Sequence, residues 1–196
     1  MNVLVQNCFH WIGFHLVNTL LEGGYQVAGA DIISSEKKAH LSMFFGRNDL
    51  FSLVSNGDVR AHDVAIVIGD DVEYQTPDGV PIIQLFRRKP KTSGPAVFVK
   101  LPLLFGEWMP MTEEGVYEDE EWISFHSDRF IHGAVYIGDF MQEFLQWLEK
   151  KGSTDLKIYE NKEIELVNSS YIHNNRTIKE KKANVIRHYQ QFHMFY

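Results

Sequence analysis

The sequence predicts an α/β protein with a doubly wound, mostly parallel sheet, shortened in its middle and followed by a small C-terminal α+β part. Three observations carry this prediction. Residues 1–5 are a short apolar run, followed after a brief turn by a stretch with helical spacing. Residues 25–31 read as a second strand ending in an acid, Asp31. Residues 62–68 are almost continuously apolar, as expected of a parallel strand buried on both faces.

Each element has its own signal. Residues 6–11 form the first turn, and a helix runs over 13–22, where Leu16, Val17, Leu20 and Leu21 make one stripe that Gly23 and Gly24 close. Ser35 caps a second helical pattern carrying Leu41, Phe44 and Phe45. Asn48 and Asp49 start a short turn holding Leu50, Phe51, Leu53 and Val54, closed by Asn56 and Gly57. The apolar strand at 62–68 ends at Gly69, Asp70 and Asp71, and a turn at 76–79 leads to a strand over 80–86. A basic patch, 87–91, precedes another strand at 96–101. Too few residues separate these two strands for a helical crossover, so they are expected to pair antiparallel, or one of them to lie outside the main sheet. Residues 107–121 are polar and acidic and read as a solvated excursion. An amphipathic helix follows over 138–151, with Phe140, Phe144, Leu145 and Leu148 on one side. Residues 156–167 alternate as a hairpin or strand pair turning at Asn161, and a closing helix from about Thr177 ends in an aromatic tail. With no internal repeat and no low-complexity linker, the expectation is one domain over 1–196, with 152–196 as a C-terminal strand and helix extension.

Composition narrows the function. A content of 44% hydrophobic and 23% charged residues is ordinary for a globular protein. A net charge of −7 argues against nucleic acid as a partner. The single cysteine, Cys8, excludes an internal disulfide and a cysteine-built zinc site. No signal-peptide pattern opens the chain, and no run approaches the roughly 20 apolar residues that span a bilayer, so a soluble cytoplasmic protein without a membrane partner is expected. The aromatic content of 13%, with 14 Phe, favours a thick core or an adhesive interface.

Strand, turn, helix and an acid-ended second strand are the grammar of a Rossmann unit, whose glycine-rich turn seats a dinucleotide pyrophosphate on a helix N-terminus. Here the three turn positions hold Asn7, His10 and Gly13, so only the last glycine is present. The chain resembles the extended short-chain dehydrogenase/reductase family, the NAD-dependent epimerase/dehydratases. The likeness rests on residues 1–5, on Phe9-His-Trp-Ile-Gly-Phe-His-Leu16, on Val27-Ala-Gly-Ala-Asp31 and on residues 62–68. Val97-Phe-Val-Lys-Leu-Pro-Leu-Leu-Phe-Gly106 is similar to the family's late strand and Arg-x-Pro-Asn-Val-Tyr-Gly-Pro turn. Val135-Tyr-Ile-Gly-Asp-Phe140 is similar to its Val-His-Val-Asp-Asp-Val before a late helix. These blocks stand in the family's order over roughly half the chain, and the resemblance implies a truncated, degenerate member.

Two departures decide the functional expectation. The family's Tyr-x-x-x-Lys pair needs i, i+4 spacing, which lets the ammonium lower the phenol pKa. No tyrosine here has a lysine at i+4, and the segment that would carry the pair, between Asp71 and Ala96, is short. No catalytic residue carries over. Second, His10 puts an imidazole where the phosphates would come closest. The resemblance leaves Gly13 and Asp31 as vestigial cofactor-binding positions. Gly13 is read as serving close helix–strand packing, and Asp31, where the family's acid holds the adenosine ribose, as a turn or cap residue.

Other groups are weaker. The nine histidines lack the His-x-x-x-His and His-Glu-x-x-His spacings, so no metal site is expected. Asp70 and Asp71 stand at a strand end where open sheets bind ligands, yet loop acids are usually just solvated. Cys8 sits near a helix start, which can lower a thiol pKa, but free cysteines are usually buried packing residues. The acids of 113–121 could meet a cation or a basic partner; the basic clusters at 87–91 and 179–182 could meet the acidic loop of a second copy. The expected function is therefore a non-catalytic binding, scaffold or regulatory module without cofactor, forming a homo-oligomer or binding another protein. Two alternatives are an oxidoreductase or sugar-nucleotide epimerase/dehydratase using NAD or NADP with a rearranged site, and a nucleotide sensor without turnover.

Overall fold

The apolar runs assemble into one seven-stranded sheet. The computed structural model describes residues 1–55, 62–70, 79–88, 96–156, 162–166 and 175–196. Its strands are β1 (Asn2–Gln6), β2 (Gln26–Ala30), β3 (Phe51–Val54), β4 (Val64–Ile68), β5 (Ile82–Phe86), β6 (Val97–Lys100) and β11 (Glu163–Glu165). They lie in the order β11-β6-β5-β4-β1-β2-β3, and every pairing is parallel. The strand order reverses between β1 and β4, whose registers place Val5 opposite both Gly29 and Ile66. In open α/β sheets that switch point, at the carboxyl ends of the strands, is where ligands bind. The expected α/β, Rossmann-like class is the class observed.

The chain divides into two compact units, residues 1–101 with 141–166, and residues 102–140 with 167–196. In the first, α1 (Trp11–Glu22) and α2 (Glu36–Phe45) follow β1 and β2. Phe14 of α1 meets Phe45 of α2 at 5.0 Å between ring centroids, and Phe45 meets Phe51 of β3 at 5.2 Å. Phe51 in turn lies against Gly29, where a Cβ would come within 2.7 Å of the ring. On the opposite face of the sheet Leu4, Ala28, Ala30, Val54, Ala65, Val67, Ile82 and Ala96 pack as one cluster. All of β4 and β5 is buried, which explains their unbroken apolar sequence. The long helix α4 (Ile137–Leu156) places Leu145 beside Gly23, and the Tyr25 hydroxyl donates to Glu149 Oε1 at 3.0 Å.

Sequence expectations change at several places. The turn expected over 48–57 contains the strand β3: Asn48 Oδ1 accepts from Leu50 N at 3.0 Å, and the chain then runs parallel to β2, Val27 opposite Phe51. The closing Asn56 and Gly57 lie outside the described residues. The strands β5 and β6 pair parallel, Ile83 opposite Val97, not antiparallel. An extended chain covers about 3.3 Å per residue, so the number of residues between the two strands is enough to span the length of a short strand; residues 89–95 themselves lie outside the described residues. Of the hairpin or strand pair expected over 156–167, the described residues show the end of α4 and the strand β11, parallel to β6, while 157–161, with the turn at Asn161, and 167 lie outside the described residues.

In the second unit β7 (Leu103–Phe105) pairs parallel with β10 (Ala134–Tyr136), and β8 (Gly115–Glu118) forms an antiparallel hairpin with β9 (Glu121–Ser124). The short helix α3 (Asp128–Gly133) is capped by Ser127, whose Oγ accepts from Phe130 N at 3.2 Å. The helix α5 (Asn175–Phe192) is followed by a 3-10 turn, His193–Phe195. The acidic excursion is thus anchored rather than fully solvated: Trp108, Met109, Met111 and Val116 are buried. The aromatic tail closes on Trp108, whose ring lies 5.4 Å from Phe192 and 5.8 Å from Tyr196, and Trp108 N–H donates to Tyr196 Oη at 2.8 Å. Among the described residues no helix is long and apolar enough to cross a membrane.

Candidate functional site

The turn between β1 and α1 is built by side chains that bond back onto it. Asn7, at φ 60°, takes the left-handed conformation that asparagine tolerates. Its N–H donates to Ala30 O at 2.8 Å, and its Nδ2 donates to Ile68 O at 3.1 Å, so one residue joins the ends of β1, β2 and β4. The Phe9 N–H donates to Asp31 Oδ2 at 2.8 Å, and the His10 N–H to Asn7 O at 3.1 Å. His10 is the N-cap of α1, its Nδ1 accepting from Ile12 N at 3.3 Å. Four N–H groups of this segment therefore already have acceptors within the chain.

Asp31, at the end of β2, is the centre of the arrangement. Its Oδ1 accepts from Ile32 N at 2.7 Å and from Lys38 Nζ at 2.5 Å, while Oδ2 takes the Phe9 N–H. Its side chain is 4% exposed and that of Lys38 23%. Lys38 also donates to Asn7 Oδ1 at 3.4 Å. Lys38 reaches Asp31 because Ser35 starts α2: the Ser35 Oγ accepts from Lys38 N at 3.2 Å.

Electrostatics keeps the cap neutral. Burial, then the positive charges of Arg87, Lys37 and Lys38, push the His10 imidazole down to about 3, so it accepts a hydrogen bond at neutral pH. Burial likewise lowers Lys37 to about 8. Burial, with Asp31 nearby, pushes the Cys8 thiol well up; Cys8 is fully buried and is a packing residue rather than a thiolate nucleophile. Gly13 packs where a side chain cannot fit: a Cβ there would run into the Asn7 carbonyl oxygen and reach Cys8 Cα at 3.0 Å. The close approach is to the turn before α1.

The ends of β4 and β5 complete the rim. Gln84, fully buried, donates to Gly69 O at 2.8 Å, and Asp70 Oδ1 accepts from Arg87 N at 2.8 Å. The Arg87 guanidinium carbon stands 6.0 Å from the centroid of the Trp11 ring. Asp70 thus ties the chain just after β4 to the chain just after β5, while Asp71 and residues 89–91 of the basic patch lie outside the described residues. Among the described residues no group of three or more His, Cys, Asp or Glu side chains could hold a metal ion.

The second unit holds a tyrosine–lysine contact that sequence spacing could not reveal, since its members are far apart in the chain. Lys181 Nζ lies 4.9 Å from the Tyr136 ring centroid and is paired with Asp139. The Tyr136 hydroxyl, however, donates to Glu107 at 3.0 Å. Burial and the Glu107 charge push this phenol well above its ordinary range, the opposite of an activated base. The Tyr25 phenol is also raised, by burial and Glu149.

No family profile matches the chain, and no curated protein sequence does. Solved structures do. Pal from Bacillus thuringiensis matches with a TM-score of 0.53 at 11% identity, over 93% of this chain and 83% of that one. Yeast methylglyoxal/isovaleraldehyde reductase Gre2, complexed with NADPH, matches with a TM-score of 0.50 at 14% identity, over 84% and 75%. Gre2 from Candida albicans gives 0.50 at 12% identity, over 86% and 78%. The chain shares its fold with these structures. Identities this low speak for the fold alone.

Proposed function

We propose that the chain is a non-catalytic protein on the reductase/epimerase fold, working as a binding, scaffold or regulatory module without a dinucleotide. One observation carries this reading: the first turn spends its donors and its acid on itself. A pyrophosphate needs backbone N–H groups free at the start of α1 and room for its oxygens. Here the His10 imidazole holds the Ile12 N–H, and Asp31 holds the Phe9 N–H. A ribose needs a carboxylate with open lone pairs, while both Asp31 oxygens are engaged and the side chain is almost wholly buried. In this arrangement the residues present do not fit the group. The absent Tyr-x-x-x-Lys pair supports the same reading.

Self-association belongs to the proposal. The strand β3, the last described strand on its side of the sheet, carries no charged residue, and its Leu53 is exposed. At the other side β11 presents Glu163 and Glu165, the latter bonded to Lys100 at 2.9 Å, a charged edge of the kind that discourages strand addition.

A second reading, an NAD(P)-dependent enzyme with a rearranged site, draws on the positive charges of Arg87, Lys37 and Lys38 around the turn and on the NADPH held by the yeast neighbour. Thermal unfolding with NAD, NADP and UDP-sugars at millimolar concentration separates the readings, since a ligand selective for the folded state raises the melting temperature. Unchanged melting is expected. A rise lost on Asp31→Ala, with hydride transfer, would establish the enzyme; a rise without turnover would establish a nucleotide sensor.

A further inference from the structure

The β8–β9 hairpin has two unlike faces. Val116 and Ile123 are direct partners on one face and are buried, with Met111 bridged to Val116. On the other face Tyr117 and Trp122 are direct partners and stay 42% and 45% exposed. The Trp122 indole lies against Gly115, where a Cβ would come within 2.9 Å of its Cε2 and Nε1. Glycine at that position makes room for the ring on the strand. Two large aromatic side chains side by side on an exposed ribbon are costly to leave in water, and such pairs are typical of interaction surfaces.

Carboxylates flank this pair along the chain, and Glu118 and Glu121 are its neighbours in the hairpin. Residues 113–121 contain Glu113, Glu114, Glu118, Asp119, Glu120 and Glu121 and no lysine or arginine. Glu118 and Glu121 are direct cross-strand partners, a like-charge pairing that destabilises a hairpin. Arg129 offsets it by pairing with both, at 2.6 Å to Glu121. A cation bridging two acids already occupies the rim, and the hairpin keeps a negative excess.

We propose that this face docks an arginine- and lysine-rich segment of a partner protein. Guanidinium and ammonium groups are attracted to the faces of tryptophan and tyrosine, their aliphatic stems cover apolar rings, and carboxylates at the rim take their remaining donors. Charge complementarity selects this occupant: nucleic acid and anionic membranes are repelled by the rim, and an apolar partner would have to bury carboxylates beside the rings. The docking holds whether or not the β1–α1 turn takes a nucleotide.

The test uses the full chain and a fluorescein-labelled peptide of four Arg-Gly repeats, followed by anisotropy in low salt. Saturable binding is expected, weakened about tenfold by Trp122→Ser, retained by Trp122→Phe and weakened by added salt. Because Trp122→Ser leaves the net charge unchanged, equal binding by wild type and the Tyr117→Ser/Trp122→Ser double variant would overturn the proposal in favour of unspecific attraction to an acidic chain. Absent binding, or equal binding of a peptide with serine in place of arginine, would overturn it as well. Should Trp122→Ser fail to fold, the wild-type Trp122 indole N–H is followed by NMR during titration. A shift of that resonance is expected, and an unmoved one refutes the docking face.

Discussion

Replacing Asp31 by alanine removes the acceptor on which the first turn is hung. The carboxylate holds Phe9 N at 2.8 Å, Ile32 N at 2.7 Å and Lys38 Nζ at 2.5 Å. Alanine leaves two backbone donors and an ammonium without it. Breaking a buried ion pair from one side costs about 3–5 kcal/mol, much of it the stranded charge. Lys38 is 23% exposed and can turn to water, so the loss should fall near the lower end, about 3 kcal/mol. With a urea slope of about 2 kcal/mol/M, the unfolding midpoint at pH 7 should drop by about 1.5 M. Lys38→Met should cost less, about 1 kcal/mol, because Asp31 keeps its two backbone donors. The double variant should show coupling between the two sites of about 1–2 kcal/mol. An Asp31→Ala midpoint within about 0.2 M of wild type, well below what a lost buried pair costs, would refute the reasoning. It would mean that the carboxylate is free for a ligand.

Two further predictions concern the same turn. Gly13→Ala should destabilise by about 2–4 kcal/mol, since the added methyl group meets backbone atoms that cannot swing aside; thermal unfolding close to wild type would contradict this close approach. His10 links stability to pH. Folded it titrates at about 3, against 6.5 ordinarily, so between those values the unfolded chain binds more protons. Stability is fully present above about 6.5 and falls as the pH drops toward 3, by about 2–4 kcal/mol, in addition to any carboxylate effects. Urea unfolding at pH 7, 5.5 and 4.5 checks it: His10→Asn, which keeps a capping acceptor without a titrating ring, should remove part of the slope. Parallel curves for the two proteins would count against a buried neutral imidazole.

Much of the first half of the fold can be read along the chain because its signals are local. The stripe of Leu16, Val17, Leu20 and Leu21 marks α1, and the run from Val64 to Ile68 marks a doubly buried strand. The strand β3 is missed because Phe51-Ser-Leu-Val54 is short and its pairing depends on Phe51 fitting over Gly29, a contact made across β2. The direction of β6 against β5 is not legible because the number of residues between two strands does not by itself fix whether they pair parallel or antiparallel. In the acidic segment six carboxylates mask the alternation of Val116 and Tyr117 against Ile123 and Trp122, so a hairpin reads as open loop. At the candidate site the identities of Asn7, His10, Gly13 and Asp31 already point to an altered turn. That His10 folds back as a cap, and that Lys38 closes on Asp31, depends on side-chain direction and on the placement of α2, which no spacing encodes.

The internal bonding of the first turn also changes what sets the protein's stability. In a nucleotide-filled Rossmann unit part of the folding free energy is on loan from the solution and rises and falls with ligand concentration. Here the negative charge opposite Phe9 and the lone pair opposite Ile12 are tethered to the same polypeptide. Dilution cannot remove them, so on the proposed reading this corner of the molecule should hold its shape at any nucleotide concentration.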